Sequence, residues 1–529
     1  MLNAVRKALC LMLLAVFTAS GVAPAVAQVA ERPNIVFILV DDLEAGDLQK
    51  FPNIWNQIAL QGTSFEQFFV SNSWCCPSRS SILRSQYVHS HGVLTNTAPE
   101  GGFTKFHNSG LERSTIGTWM KSAGYRTGLM GKYLNHYPGG AAEATYVPPG
   151  WDEWDVPVRQ LYNEYGYTLN ENGLLTDHGY APEDYLADVL SQKADAFVSQ
   201  ASTDPFFLYL APIAPHNPSN YAPRHAGDFA DATAPRPPSF DQPDVSAEPR
   251  WLSSRPRFTT RTVEKIDERY RRRLRAMLGV DDMVGALVET LRAAGKLENT
   301  YIFFSSDNGF HLGQHRLAQG KTTPFDESIK VPLLVRGPGV KPLGVVSEMG
   351  ANVDLSPTFA QLAGAQLPAF TEGRSLLPLL RGRTPPRWRQ NVLLEFYRPT
   401  SEESGRQTPV PAYQGMRTSQ NTFVRYSTGE YQLYDLARDP YQLHNLVSEV
   451  SPAVIAQFDQ QLDALAVCSG ANCRSADSVR PPPFVAPPPF LVPPFSFGDG
   501  SVFGPGSVFG PTPVFGARAP RGGRGGRGG

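Results

Sequence analysis

The chain has 529 residues, 41% of them hydrophobic, which is enough for a large core and more than one domain's usual length. Its 48 basic and 49 acidic residues leave a formal charge of −1, which argues against a nucleic-acid binder or a polybasic membrane-surface protein.

The N-terminus reads as a targeting segment. Arg6 and Lys7 form a positive start, Ala8 to Phe17 is an apolar run too short to span a bilayer, and Ala25-Val26-Ala27 is a small-residue cleavage site. Residues 1–27 are therefore expected to be a signal peptide, and the mature chain to be secreted or periplasmic without membrane insertion. Cys10 leaves with that segment. Cys468 and Cys473 can close a small disulfide loop in an oxidising compartment. Cys75 and Cys76 are adjacent and have no evident structural task.

Short apolar runs then alternate with helical patterns, as in an α/β protein with a large mixed, mostly parallel sheet flanked by helices. The spacing predicts strands at Asn34–Val40, Tyr125–Met130, Pro205–Leu210, Thr300–Ser305 and Val331–Val335. It predicts helices at Phe51–Gln61, Thr115–Ala123, Ala187–Ala201 and Val263–Ala294. Pro212 to Arg257 is proline-rich and irregular, a connection long enough to be functional or disordered. After about Arg383 the pattern shifts to short antiparallel strands at Val392–Phe396, Thr422–Tyr426 and Gln432–Leu436, closed by a helix at Pro452–Ala466. We therefore expect a catalytic domain over 31–385 and a smaller antiparallel α+β subdomain over 386–467. From 474 to 529 the chain is rich in Pro, Gly and Phe, repeats Ser-Val-Phe-Gly-Pro, and ends in Arg-Gly-Gly triplets. That composition buries no core and is expected to be a disordered tail, its RNA-binding flavour made irrelevant by export.

Ligands of open α/β sheets bind at the carboxyl ends of strands. The first strand ends in Asp41-Asp42, the second leads into Gly131-Lys132, the third leads to His216, and the fourth ends in Asp307-Asn308-Gly309. Each alone is an ordinary turn or surface residue; four deliveries to one rim are harder to dismiss. Three carboxylates and an amide oxygen suit a hard cation, calcium or magnesium rather than zinc.

Between these lies Cys75-Cys76-Pro77-Ser78-Arg79-Ser80-Ser81-Ile82-Leu83. Pro77 suits the first turn of a helix, whose free N–H groups attract anions. Arg79 adds a planar donor fork suited to sulfate or phosphate. Cys-x-Pro-Ser-Arg resembles the signature of the type I sulfatases, a branch of the alkaline phosphatase superfamily. The resemblance runs from about Pro33 to Leu446 and takes in Gly131-Lys132-Tyr133-Leu134-Asn135, Ala214-Pro215-His216, Ser306-Asp307-Asn308-Gly309 and Tyr434-Asp435-Leu436. Within the family it looks most like the N-acetylglucosamine-6-sulfatase and extracellular heparan sulfatase branch.

The resemblance implies an alkaline phosphatase-like fold and hydrolysis of a sulfate ester on a carbohydrate or aryl substrate. It implies that a formylglycine-generating enzyme converts Cys75 to formylglycine, the nucleophile. By the same carry-over, Asp41, Asp42, Asp307 and Asn308 bind one Ca2+ alongside residue 75. Arg79, Lys132 and Lys321 hold the sulfate oxygens, and His216 is the general acid. His311, directly after the metal turn, is a candidate substrate contact, and His315, His89 and His91 are read as structural. Two positions depart from the family. Leu83-Arg84-Ser85 stands where Leu-Thr-Gly is usual, and Leu134 stands where many members have a histidine, whose role is lost or passes to Asn135 or His136. A zinc phosphoesterase and an inert glycan-binding relative are the competing readings.

Overall fold

The computed structural model describes residues 32–202, 204–398 and 410–483. The expected signal peptide and the Arg-Gly-Gly end lie outside these residues. A ten-stranded sheet runs, edge to edge, through Gly344–Val346, Thr63–Phe65, Leu333–Arg336, Thr300–Ser306, Asn34–Val40, Phe206–Ala211, Arg126–Gly131, Glu153–Arg159, Thr168–Glu171 and Leu174–Asp177. The five strands from Thr300–Ser306 to Glu153–Arg159 are mutually parallel, and antiparallel strands flank them on both sides.

The reason is visible in Asn34–Val40, which is buried along its whole length. A strand covered on both faces needs apolar residues at every position. Because successive side chains alternate, Ile35, Phe37 and Leu39 enter one apolar cluster, and Val36, Ile38 and Val40 enter the other. The second cluster packs under Leu186–Ser199 and the 34-residue helix Thr260–Ala293. The first takes in Ile82 and Leu83 of the helix Cys75–Arg84.

A separate four-stranded antiparallel sheet follows, in the order Asn391–Phe396, Tyr413–Thr418, Asn421–Tyr426, Tyr431–Asp435, with the helix Pro452–Ala466 packed against it. Its Val392, Leu393 and Val424 belong to the first apolar cluster, so that cluster runs across the 385/386 boundary expected from sequence. Cys468 and Cys473 are disulfide-bonded.

One boundary is corrected. The tail does not begin at 474: Ala471–Ala476 is helical, and Asp477 is buried, accepting an ion pair from Arg374 and lying 3.1 Å from Arg389. Arg389 is itself buried and also bonds Asp354 at 2.6 Å. Buried charges persist only when paired, so Asp477 is part of the folded body. The sequence reading also passed over the strands at Glu153–Arg159, Thr168–Glu171, Leu174–Asp177 and Tyr413–Thr418.

Candidate active site

The parallel register brings the strand ends together. Val40 pairs with Ser306, Ile38 with Leu210, and Gly131 with Ala211, so the residues just beyond each strand emerge on one rim. Asp42 and the Asp307-Asn308 pair are neighbours. The Asp42 backbone N–H donates to Asp307 Oδ1 at 3.2 Å, and Asn308 Nδ2 donates to Asp42 Oδ1 at 2.7 Å. Asp42 holds the left-handed conformation (φ 69°), tolerable for Asp, as the chain turns off the strand.

The helix Cys75–Arg84 points its N-terminus at this rim, with all ten of its residues buried. Cys75 Sγ lies 3.5 Å from Asp41 Oδ1 and 2.7 Å from Lys321 Nζ. Lys321 also bonds Asp42, and Lys132 Nζ sits 2.5 Å from Asp41 Oδ2. One potential donor atom each from Asp41, Asp42, Cys75 and His216 lies within 4.8 Å of the others. Arg79 is fully buried. Its Nε donates to Asp307 Oδ2 at 2.7 Å and its Nη1 to the Lys132 carbonyl at 2.8 Å, which leaves Nη2 without a hydrogen-bond partner.

Electrostatics follow from this packing. Burial alone would raise Asp41, but Lys132 and His216 outweigh it and hold the carboxyl well below the usual range. For Asp42 burial is likewise outweighed, chiefly by Lys321. The Cys75 thiol is pushed up to about 12, first by burial and then by Asp41. Burial lowers His216 despite the pull of Asp41 and Asp42.

Above these groups lies a cleft of about 390 Å³, lined by Asp42, Trp74, His216, Asn217, Arg255, His311 and Lys321 among others. His216 Nδ1 is 2.6 Å from the Asn217 carbonyl, which fixes that nitrogen as the donor, and Nε2 faces Asp42 at 3.7 Å. His311 lines the cleft with no solvent exposure. Its Nε2 meets Thr323 Oγ1 at 2.7 Å, its Nδ1 has no partner, and burial lowers it to about 3, so it is neutral. His315 stacks on Phe325 at 3.7 Å, His91 bonds Ser81 at 3.0 Å, and His89 bonds Glu395 at 2.8 Å, all of them packing roles.

Both departures have a structural account. Leu134 is buried in the core, Asn135 is buried beside it and His136 is exposed. Asn135 Nδ2 donates to the Tyr162 hydroxyl at 3.0 Å, and the Tyr162 ring stacks on His216 with centroids 4.3 Å apart. The same ring lies 5.2 Å from Lys132 Nζ. No sequence signal marked Tyr162. Ser85 ends the helix Cys75–Arg84 in the left-handed conformation (φ 54°), which favours the glycine usual in the family. Here its Oγ offsets the strain by donating to the Val353 carbonyl at 2.8 Å and accepting the Gly373 N–H at 3.1 Å. Arg84 bonds Gln86 and the carbonyls of Leu111 and Ser114.

Residues 33–365 match the family model described as Sulfatase, and residues 313–467 match that of the N-sulphoglucosamine sulphohydrolase C-terminal region. The chain belongs to the sulfatase family. It is 34% identical to the human N-acetylglucosamine-6-sulfatase over 492 residues, covering 85% of this chain and 87% of that one. It is 32% identical to an arylsulfatase of Volvox carteri over 532 residues, covering 89% and 79%. A protein solved in complex with its substrate D-glucosamine-2-N,6-O-disulfate superposes with a TM-score of 0.68 at 24% identity, over 82% of this chain and 97% of that one. The fold is thus that of the sulfatases, and the chain is a sulfuric ester hydrolase.

Proposed function

We propose that the chain removes sulfate from a sulfated glucosamine-type sugar, using a formylglycine made from Cys75 and a bound calcium ion. The observation that carries this reading is Cys75 Sγ, buried at a helix N-terminus between Asp41 and Lys321. Sγ marks the place an aldehyde oxygen would take. Burial pushes this thiol up to about 12, so it is almost never ionised at neutral pH and is a poor nucleophile as it stands.

The residues fit both implied groups. Asn308 Oδ1 is buried with no hydrogen-bond partner; its Nδ2 bonds the carboxylate of Asp42, whose backbone N–H reaches Asp307, and Asp42 groups with Asp41 and Cys75. An all-oxygen set of that kind suits calcium, with Asp41, Asp42, Asp307, Asn308 and position 75 as its holders. The ion's charge would offset that of an anionic ester. Hydrated formylglycine supplies a hydroxyl nucleophile and a second hydroxyl through which the aldehyde is regained.

The chain's own residues do the rest. Lys132 and Lys321 place two ammonium groups around position 75, where charge builds on the sulfate oxygens. Arg79 clamps Asp307 and the Lys132 backbone, and its Nη2, 4.0 Å from Asp41 Oδ2 with no hydrogen-bond partner, is one further donor. His216, protonated at Nε2, gives its proton to the leaving alcohol, while the Asn217 carbonyl holds the other ring nitrogen. His311, which lines the cleft, is a candidate substrate contact.

We further infer export by residues 1–27 and conversion of Cys75 by a formylglycine-generating enzyme. Extracellular sulfatases of Drosophila melanogaster and Caenorhabditis elegans, each 35% identical, support the first. No helix among the described residues is long and apolar enough to cross a membrane.

The test joins peptide mapping to turnover. Protein from its native host should carry a Cys75 peptide about 18 Da lighter than the thiol form. It should release sulfate from N-acetylglucosamine 6-sulfate and from 4-nitrocatechol sulfate, and Cys75→Ala should abolish both. An unconverted, inactive protein would instead support the glycan-binding reading.

A further inference from the structure

The two lysines of the site are each paired with a carboxylate, but other cations near the cleft have no carboxylate partner among the described residues. Asn217, next to His216, lines both the cleft and an adjoining hollow of about 340 Å³. Lys265, Arg269 and Arg272 line that hollow with Pro218, Ser219 and Glu268. Their spacing of four and three residues places all three on one face of the helix Thr260–Ala293.

Their pairing sets them apart. Arg271 and Arg273 of the same helix are bound to Glu268 at 2.9 Å and Glu44 at 2.7 Å. Lys265, Arg269 and Arg272 have no carboxylate partner among the described residues. Arg269 reaches only the Ala318 carbonyl at 3.4 Å; Arg272 reaches the Pro218 carbonyl at 3.0 Å and Asn220 Oδ1 at 2.9 Å. Glu268, the hollow's one acid, is spent on Arg271. Within the cleft, Arg255 repeats the pattern. Its Nε is buried and finds no partner, and no carboxylate among the described residues pairs with it. Burial lowers both Arg255 and Arg269, as it does for a cation lacking a counter-ion.

Guanidinium groups with neutral partners bind oxyanions, because a planar donor fork matches sulfate and carboxylate geometry. We propose that Lys265, Arg269 and Arg272 form a second anion subsite and that Arg255 extends its positive character into the cleft. The substrate is then a sulfated oligosaccharide bearing further sulfate or carboxylate groups, rather than a lone monosulfated ester. This deepens the sulfatase reading and rests on it.

The experiment measures inhibition of 4-nitrocatechol sulfate hydrolysis by a heparin-derived tetrasaccharide, which competes whether or not it is cleaved. N-acetylglucosamine 6-sulfate serves as the singly charged control. In Lys265→Ala/Arg269→Ala the tetrasaccharide inhibition constant should rise about fivefold, the scale of two partly exposed charge contacts. Its salt dependence should flatten, and the inhibition constant of the monosulfated sugar should rise far less. Arg292→Ala, which removes a charge at the far end of the same helix, should leave tetrasaccharide inhibition as in wild type. Equal losses for the two sugars, an equal loss in Arg292→Ala, or no loss in the double variant would each overturn the subsite. Wild-type protein that hydrolyses the aryl ester but ignores the tetrasaccharide also overturns it, while converted wild type that hydrolyses no sulfate ester overturns the sulfatase reading instead.

Discussion

Tyr162 offers the sharpest test of how the leaving group gets its proton. Its ring packs on His216 with centroids 4.3 Å apart and planes tilted by 24°, and it stands 5.2 Å from the Lys132 ammonium. Tyr162→Ala removes an aromatic contact of about 0.5–1.5 kcal/mol and a buried cation–π contact of about 0.5–2 kcal/mol. If those contacts hold both groups in reacting position, kcat for a sugar sulfate should fall roughly five- to four-hundredfold. An alcohol leaves only with a proton, whereas nitrocatechol leaves readily as an anion, so the aryl ester should suffer much less. The pH profile should shift as well. Burial depresses His216, so its acid form prevails only below the free imidazole value of about 6.5. Admitting water relieves that burial and raises the pKa, which moves the alkaline limb of the profile to higher pH. Tyr162→Phe keeps both ring contacts and loses only the Asn135 hydrogen bond, about 1 kcal/mol of stability with little change in rate. Equal losses on both esters with an unmoved profile would refute a positioning role.

Three further outcomes are expected. Lys132→Ala should lower kcat by about 10²–10³, the cost of removing one group preorganised for transition-state charge, and near-normal turnover would remove Lys132 from the site. The same variant should lose stability in a pH-dependent way. Asp41 is depressed in the folded protein, so its contribution is present above the unfolded value of about 3.9 and lost as pH falls through the folded one; the gap between variant and wild-type melting points should therefore close in acid. Chelation should lower the melting temperature and calcium restore it, by about 2.7 kcal/mol at a hundredfold excess over Kd, and an unchanged melting curve would argue against a bound ion. Truncation after Pro483 should preserve stability, whereas truncation after Cys473 strips Asp477 from Arg389 and Arg374 and should cost about 3–5 kcal/mol in denaturant unfolding.

Chemistry and fold class were legible in the chain because both are written locally. A run such as Asn34–Val40 is apolar at every position because it is buried on both faces, and the polar group that follows each such run is visible without knowing the fold. Cys75, Pro77 and Arg79 lie within five residues of one another, so one helix end could be read as an anion site. The disulfide was legible for the same reason, since its cysteines are five positions apart.

Whatever depends on distant segments meeting was decided only by tertiary structure. Tyr162 reaches His216 across 54 residues of sequence, and nothing near it distinguishes it from the chain's other tyrosines. Asp477 sits in a stretch whose composition reads as solvent-exposed tail, yet it is buried because Arg389, 88 residues earlier, needs a counter-charge. Arg79 looked like a free anion grip from its motif, but folding commits two of its donor atoms to Asp307 and Lys132. Local sequence specifies which groups are present and what they could bind. Which of them remain unpaired, and so free to act, depends on the partners that the completed fold brings to each.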